Sequence, residues 1–187
     1  MRSGAIKVTG LGSIEDDPDQ TEHRSVAAEV TEGWEVELAD IPNNGSTVAQ
    51  AIREHKAHAT SDGSFKYELG TSATLLRGED RFERIICVSK VPGRPEEQSA
   101  YRSELTGIAA SLKTVQVLCK FHRITEGTIT IHLDGKQALL NASDDWYLVS
   151  TKADFDILKR TRQLIKEIPI QIKWEWVKGH QDDMAGV

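Results

Sequence analysis

HATSDGSF, residues 58–65, is the stretch that decides the fold, and GTSATLLR at 70–77 and FERIICVSK at 82–90 extend its pattern. The three segments are short and rich in β-branched and apolar residues, and turn formers such as Gly78 and Pro92 separate them. Segments of this kind are typical of neighbouring strands that run antiparallel. We therefore predict a meander of three strands.

A long helix is predicted next, over about residues 99–121. Apolar residues recur in it in steps that alternate between four and three: Tyr101, Leu105, Ile108, Leu112, Val115 and Cys119. This spacing is typical of a helix with one buried face. Glu104 lies about 60° from the centre of that face, at roughly 100° per residue. Its carboxylate is therefore placed at the edge of the packed face, where it can still reach an open site.

The remaining chain alternates between strands and helices. Residues 128–133 alternate in polarity and lead into Asp134, which predicts a strand followed by a turn. The same patterns predict a short helix, a longer helix ended by a proline, and a last strand, over residues 136–142, 154–168 and 170–176. The order β-β-β-α-β-α-α-β predicts an α/β fold, in which a mixed sheet carries helices on its faces.

Composition limits the classes of function. The net charge is −6, so any binding of nucleic acid must depend on local basic patches and not on the overall charge. Cys87 and Cys119 stand alone in apolar runs, which favours buried free thiols in a reducing compartment. The sequence shows neither an apolar run of membrane-spanning length nor a secretion signal. We therefore expect an intracellular protein, cytoplasmic or nuclear.

Four short motifs carry candidate catalytic side chains. They are, in order, SDGS with Asp62, YRSEL with Glu104, IHLDG with Asp134 and WVKGH with His180. The predicted elements would gather the three carboxylates at one end of the sheet. Hard carboxylate oxygens select Mg²⁺ or Mn²⁺, and two such ions can clamp a phosphodiester. The sequence therefore predicts a divalent-metal site.

The four motifs in this order, each on its expected element, resemble the ribonuclease H family. They are most similar to the ribonuclease H domain attached to reverse transcriptases of eukaryotic retroelements, from about residue 57 to the C-terminus. The resemblance implies a ribonuclease H-like fold with a mixed five-stranded sheet, three antiparallel strands followed by parallel strands, and helices on both faces. It also implies an endonuclease that uses divalent metal to hydrolyse the RNA strand of RNA–DNA hybrids.

The resemblance implies a role for each residue of the four motifs. Asp62 matches the first-strand aspartate, Glu104 the first-helix glutamate, Asp134 the fourth-strand aspartate and His180 the histidine of a mobile loop. All four are implied to be catalytic. The three carboxylates are implied to hold two Mg²⁺ ions, for which Mn²⁺ can substitute. Two ions about 4 Å apart lower the pKa of an attacking water and stabilise both oxygens of an in-line displacement.

One departure from the family concerns the end of the chain. The family has a further metal-binding carboxylate on a helix after the histidine loop, whereas this sequence ends at Val187, soon after His180. We expect the domain to lack its last helix and last acid. Asp182 and Asp183 suit a loop, and Asp183 is the candidate substitute ligand. The metal that faces the leaving group would then be retained better than the metal that activates water, so we expect this fragment to be a weak or inactive enzyme.

The first part of the chain differs from the rest. It contains an acidic loop at 14–19 and a turn cluster at 43–46, and it shows no candidate catalytic chemistry. We expect residues 1–55 to be a flank, or the tail of a preceding reverse-transcriptase region. Residues 56–187 would form the ribonuclease H-like domain, fused to a reverse transcriptase in the full-length protein.

Two features are candidates for holding the hybrid. The backbone amides of Gly63 and Ser64 can approach a substrate closely, because glycine has no side chain. Lys159, Arg162 and Lys166 recur at i, i+3 and i+7 on a predicted helix and form one basic stripe that could contact phosphates. A solvated helix face is the alternative explanation of the stripe. Choice of RNA would depend on 2′-hydroxyls read across the minor groove.

Structural explanations exist for the same residues. Asp-Gly pairs occur in ordinary turns, and His180 can be a loop histidine without a role. Trp174 and Trp176 are expected in the core, and no role for His132 follows from the sequence. Two other functions remain open: a catalytically inactive nucleic-acid-binding remnant with the same fold, and another nuclease of the superfold, such as a transposase or an exonuclease.

Overall fold

A computed structural model of the chain describes residues 24–79, 83–143, 148, 150, 151 and 153–178. In this part of the chain six strands form one sheet: β1 (Leu38–Asp40), β2 (Ala57–Lys66), β3 (Leu69–Arg77), β4 (Arg84–Lys90), β5 (Thr128–Leu133) and β6 (Gln171–Trp176). Across the sheet the strands follow the order β1-β4-β3-β2-β5-β6.

The strand directions confirm the expected fold class. β2, β3 and β4 form the antiparallel meander. β5 then pairs parallel to β2, and β6 pairs parallel to β5, so a mixed α/β sheet results. The expected count of five strands is wrong by one. Leu38–Asp40 pairs antiparallel with β4 and adds a sixth strand at the outer side of the meander. A strand of three residues is too short to show a clear alternation of its own.

Five helices accompany the sheet in the described ranges: α1 (Val26–Val30), α2 (Ser46–Arg53), α3 (Ala100–Phe121), α4 (Lys136–Ser143) and α5 (Phe155–Glu167). Ser99 caps the N-terminus of α3, and its side chain accepts a hydrogen bond from the backbone N–H of Arg102. A serine in this position satisfies one of the donors that the first helical turn leaves open. None of these helices is long and apolar enough to cross a bilayer.

The helix α3 lies unusually close to β2. A β-carbon at Gly107 would stand 2.9 Å from Cβ of Ser61, a separation that real side chains do not reach. Glycine at this position therefore lets the helix backbone approach the strand. The consequence is that residues on the first turns of α3, Glu104 among them, lie close to the strand that carries Asp62.

The strands bury one face under the described helices. Ala59, Cys87 and Ile131 are covered, whereas Thr60 and Val88, which point the other way, are exposed. This alternation is typical of a sheet with one packed and one open face. Helices on both faces are expected from the sequence, but within the described ranges the helices cover a single face.

The described part of the flank shares the core of the sheet. Val26 and Ile52 are fully buried in the same apolar cluster as residues of α3 and β5. Glu35 is 3% exposed and forms an ion pair with Arg160 of α5, with Nε and Oε1 2.5 Å apart. The division of the chain after residue 55 stays a prediction, and these contacts show that the two segments pack together.

Candidate active site

Two of the expected carboxylates lie near the C-terminal ends of two neighbouring strands in the interior of the sheet. Asp62 lies on β2, and Asp134 directly follows β5. The two strands are adjacent and parallel, with Thr60 opposite His132 in the register. Because the C-terminal ends of parallel neighbouring strands lie on the same side of the sheet, Asp62 and Asp134 come close together. Both residues are exposed.

Glu104 reaches the same place from α3. A β-carbon at Gly63, next to Asp62, would lie 2.5 Å from the backbone nitrogen of Glu104 and 2.9 Å from Cβ of Ser103. Glycine at position 63 is therefore needed for the helix to contact the strand. This contact fixes the distance between Glu104 and the sheet. It also explains why a glycine follows Asp62 although the pair lies within a strand and not in a turn.

The carboxylate of Glu104 also contacts the loop after β5. A β-carbon at Gly135 would overlap Oε2 of Glu104, and it would lie 3.2 Å from Oε1. The side chain of Glu104 thus rests on the residue that follows Asp134. Three elements, β2, α3 and the end of β5, therefore bring the three expected carboxylates to one place.

The electrostatics of the three acids agree with this geometry. The pKa of Glu104 is raised above its ordinary value, first by burial and then by the negative charges of Asp134 and Asp62. A carboxylate whose pKa is raised by neighbouring negative charges loses this repulsion when a cation binds between them. The site therefore has the charge and the hard oxygen donors that a divalent cation requires.

The metal site is not closed in the described residues. No three His, Cys, Asp or Glu side chains in residues 24–79, 83–143 and 153–178 stand close enough to enclose an ion as they are placed. Asp62, Glu104 and Asp134 fit Mg²⁺ or Mn²⁺ by their chemistry and mutual repulsion, and closing on an ion would require side-chain movement. His180, Asp182 and Asp183, the other expected site residues, lie outside the described part of the chain.

Trp176 is a neighbour of the site that the sequence does not identify. It ends β6 opposite Leu133, and its indole Nε1–H donates to the backbone carbonyl of Asp134 over 2.9 Å. The side chain is 51% exposed, so the expectation of a core position is wrong for Trp176. The signal that could have found it is register: the last residue of β6 lies beside the end of β5.

Gly63 and Ser64, expected to offer backbone amides to the substrate, lie within the paired part of β2. Gly63 stands opposite Ser72 of β3, and Ser64 stands opposite Thr71. The carbonyl of Ser64 accepts a hydrogen bond from Oγ of Ser103. The contact of these two residues with α3 is thus structural, and their contact with nucleic acid stays a prediction.

A buried arginine holds the start of α3 against the start of α5. The side chain of Arg102 is 5% exposed, and its Nη1 donates to Asp154 over 2.8 Å. Its Nη2 pairs with Asp156 at 2.5 Å, and its Nε donates to the carbonyl of Pro92. The pKa of Asp156 is lowered, chiefly by the hydrogen bond from Arg102. Asp154 therefore binds Arg102 and makes no side-chain cap to its own helix.

The basic stripe lies on α5 as expected. Lys159, Arg162 and Lys166 line one surface cleft, together with Leu148, Gln163 and the acidic Glu167. The three cations therefore share one face of the helix, as their i, i+3, i+7 spacing requires. Their contact with phosphates stays a prediction.

A second polar cluster crosses the parallel strands. Nδ1 of His58 and Nε2 of His132 share a hydrogen bond of 2.9 Å, and Nδ1 of His132 lies 3.3 Å from Glu175. The pKa of His58 is lowered, first by burial and then by the nearby His132 and Arg77. These side chains form a linear chain of contacts, since each nitrogen of His132 faces a different neighbour.

No family model matches the sequence, and no curated protein matches it. Several solved structures are similar to it. The chain is 16% identical to the N-terminal RNase H domain of a Mycobacterium tuberculosis protein, solved as a fusion with maltose-binding protein; the match covers 65% of this chain and 86% of that one, with a TM-score of 0.42.

Two further structures are similar to this chain with TM-scores of 0.48. RNase H1 from the halophilic archaeon Halobacterium salinarum is 15% identical, over 68% of this chain and 89% of that one. LC11-RNase H1, solved in complex with an RNA/DNA hybrid, is 8% identical, over 70% and 89%. Identities of this size leave side chains free to differ, so function must be inferred from the residues of this chain.

Proposed function

We propose that this chain is a ribonuclease H that uses divalent metal to hydrolyse the RNA strand of RNA–DNA hybrids. The observation that carries the proposal is the position of Glu104. Its carboxylate rests on Gly135, and its pKa is raised by burial and by Asp134 and Asp62. Three acids from three separate elements, gathered against their mutual repulsion, are a typical arrangement for a site that holds cations.

The residues of the chain have distinct roles in this proposal. Asp62, Glu104 and Asp134 would hold the metal through carboxylate oxygens, with Asp183 as a candidate further ligand, and His180 is a proposed catalytic residue. Two bound Mg²⁺ ions, or Mn²⁺, would supply an activated water and charge stabilisation at the phosphodiester. Because Asp62 and Asp134 are exposed near the ends of β2 and β5, a nucleic-acid backbone can reach them directly.

Binding of the hybrid is assigned to two surfaces. The cleft lined by Lys159, Arg162 and Lys166 is the proposed contact with phosphates of the DNA strand. Gly63 and Ser64, next to Asp62, are the proposed contacts on the RNA side. Recognition of the RNA strand would depend on its 2′-hydroxyls, which a DNA duplex lacks.

The wider context is also proposed from the sequence resemblance. We infer that the chain acts within a retroelement polyprotein, fused to a reverse transcriptase, and that it works inside the cell. A reverse transcriptase produces RNA–DNA hybrids, so an attached hybrid-specific ribonuclease would act on its product. Cys87 and Cys119 are both buried free thiols, which supports a reducing compartment.

A second candidate function is a non-catalytic module that binds nucleic acid. The observation that favours it is that no three ligand side chains in the described residues already enclose an ion. In this case the acids would repel one another without supporting turnover, and the basic cleft on α5 would provide the affinity.

Cleavage of matched duplexes tests the proposal. The 187-residue chain is incubated with end-labelled RNA–DNA hybrid, RNA duplex and DNA duplex, in Mg²⁺ and in EDTA. We expect cutting of the RNA strand of the hybrid only, in Mg²⁺ only. Equal cutting of all three duplexes, or cutting in EDTA, would reject the assignment. Binding of the hybrid without cutting would select the non-catalytic module.

A further inference from the structure

Trp176 presents an aromatic ring beside the three carboxylates. Its side chain is 51% exposed although it ends a strand of the sheet. The indole N–H is bound to the carbonyl of Asp134, which fixes the ring next to that acid. A single exposed apolar residue needs no explanation by itself, so the ring becomes informative only through its neighbours.

Lys136 is one of these neighbours. Its Nζ lies 6.0 Å from the centre of the Trp176 ring, at the limit of a cation–π contact. Lys136 is exposed and begins α4, directly after the turn at Asp134 and Gly135. An aromatic ring and a cation therefore adjoin the candidate metal ligands.

We propose that Trp176 and Lys136 form a nucleotide platform, in which the ring packs on a sugar or base near the cut phosphate and Lys136 contacts a neighbouring phosphate. This inference rests on the proposed function. Aromatic faces bind nucleotides of any sequence, and a lysine neutralises one phosphate. Lys136 also adds positive charge beside Asp62, Glu104 and Asp134, which repel a nucleic-acid backbone until metal is bound.

The hydrogen bond to Asp134 and the ring face are separable by substitution. Trp176→Phe keeps an aromatic face and removes the N–H donor, whereas Trp176→Ala removes both. If the ring is a platform, the Trp176→Phe variant should retain most of the affinity for the hybrid. If Trp176 only orients Asp134, both variants should lose the same affinity.

The first measurement is the affinity of the whole chain for a short fluorescein-labelled RNA–DNA hybrid, read by anisotropy. Ca²⁺ replaces Mg²⁺ so that the hybrid is bound and not consumed, since Ca²⁺ accepts looser oxygen coordination. We expect Trp176→Ala to weaken binding roughly tenfold and Trp176→Phe by no more than about threefold. Trp174→Phe, two residues earlier on the same strand, is the matched control and should bind like the wild type.

The second measurement is the dependence of the same affinity on salt. One lost phosphate contact lowers the slope of log K against log salt by about one. Lys136→Gln should show this smaller slope. Lys113→Gln, on α3 more than two turns from Glu104, should not. Because Lys136 is exposed, this variant is not expected to disturb the fold.

The outcomes separate the platform from the proposed function. Failure of the wild type to bind the hybrid overturns both, whereas binding without cutting overturns the proposed ribonuclease and leaves the platform to be decided by the variants. If the wild type and Trp176→Ala bind the hybrid with equal affinity, the platform alone is overturned. Equal losses of affinity in Trp176→Phe and Trp176→Ala overturn it as well. If Trp176→Ala does not melt cooperatively, the salt slope of Lys136→Gln decides, and an unchanged slope rejects the platform.

Discussion

The carboxylate of Glu104 rests on Gly135, so that a β-carbon at position 135 would overlap Oε2. The contact joins the first turns of α3 to the end of β5. Gly135 is not among the described glycines with positive φ, so its importance lies in space and not in backbone conformation. Any side chain at this position must displace Glu104, the turn, or both.

Gly135→Ala is therefore expected to displace the flexible end of the Glu104 side chain and to destabilise the protein by less than the roughly 1–3 kcal/mol that overpacking a rigid core costs. Urea denaturation monitored by fluorescence measures this loss. The double variant Gly135→Ala with Glu104→Asp shortens the acid and should recover part of the stability. Additive losses in the double variant would contradict the contact.

Asp62→Asn is expected to abolish the stabilisation that Mn²⁺ provides. Ligand binding to the native state adds about 2.7 kcal/mol at 100 times Kd, and removal of a ligand carboxylate raises Kd. Thermal melts in titrated Mn²⁺ test this. Asp40→Asn, an exposed carboxylate on β1, is the control and should shift like the wild type. Equal shifts in all three proteins would show that Asp62 is not a ligand.

Glu104→Gln is expected to stabilise the metal-free protein at neutral pH. The pKa of Glu104 is raised in the folded state above the ordinary 4.5, so ionisation of this group costs stability as the pH rises through the folded pKa. A neutral amide avoids that cost. The advantage over the wild type should shrink as the pH falls, and it should vanish below 4.5. Melts across this pH range in EDTA provide the measurement, and a variant less stable than the wild type at pH 7 would contradict the assignment.

Arg102→Met is expected to destabilise the protein by about 3 kcal/mol or more, because it leaves Asp154, 11% exposed, without its partner. The loss is measured by urea denaturation, with Lys113→Met as a control on the same helix. The pKa of Asp156 is lowered by Arg102, so this pair stabilises the wild type above pH 3.8 and is lost as the pH falls through the folded pKa. The variant should lack that part of the acid sensitivity.

Deletion of residues 1–55 is expected to abolish cooperative melting. It removes Val26 and Ile52 from the core and leaves Arg160 without Glu35. Large-to-small changes at single buried sites already cost about 2–5 kcal/mol, so the loss of a whole segment should exceed the stability of the domain. Deletion of residues 1–23, which contains none of these side chains, is the control. Cooperative melting of residues 56–187 alone would show that the flank is dispensable.

Local periodicity was sufficient to predict most elements of the sheet and its helices. The strand at 128–133 agrees with β5 residue for residue, and the helix at 99–121 begins one residue before α3. Periodicity reports which face of an element is buried, and burial dominates these segments. The position of Glu104 at the edge of its helix face follows from the same rule, and its contact with Gly135 agrees with it.

Contacts between distant segments could not be predicted in this way. Pairing of β1 with β4 and the ion pair of Arg102 with Asp154 depend on tertiary approach, which no local pattern encodes. The carboxylate of Asp154, at the start of α5, is directed to Arg102 of another helix. Trp176 was expected in the core because alternation places it with Trp174, but alternation cannot show where a sheet edge ends.

The parallel pairing of β2 with β5 determines at which stage of folding the carboxylates of Asp62, Glu104 and Asp134 come together. Residues 57–60 pair with 129–132, and β3, β4 and α3 lie between them in the chain. Pairings between segments so far apart in sequence form slowly, because the chain loses the entropy of a large loop before any stabilising contact forms. A chain emerging from the ribosome can build the meander and begin to dock α3 while β5 and Asp134 are still inside the exit tunnel. Assembly of the three carboxylates is therefore a late event in the life of the nascent protein.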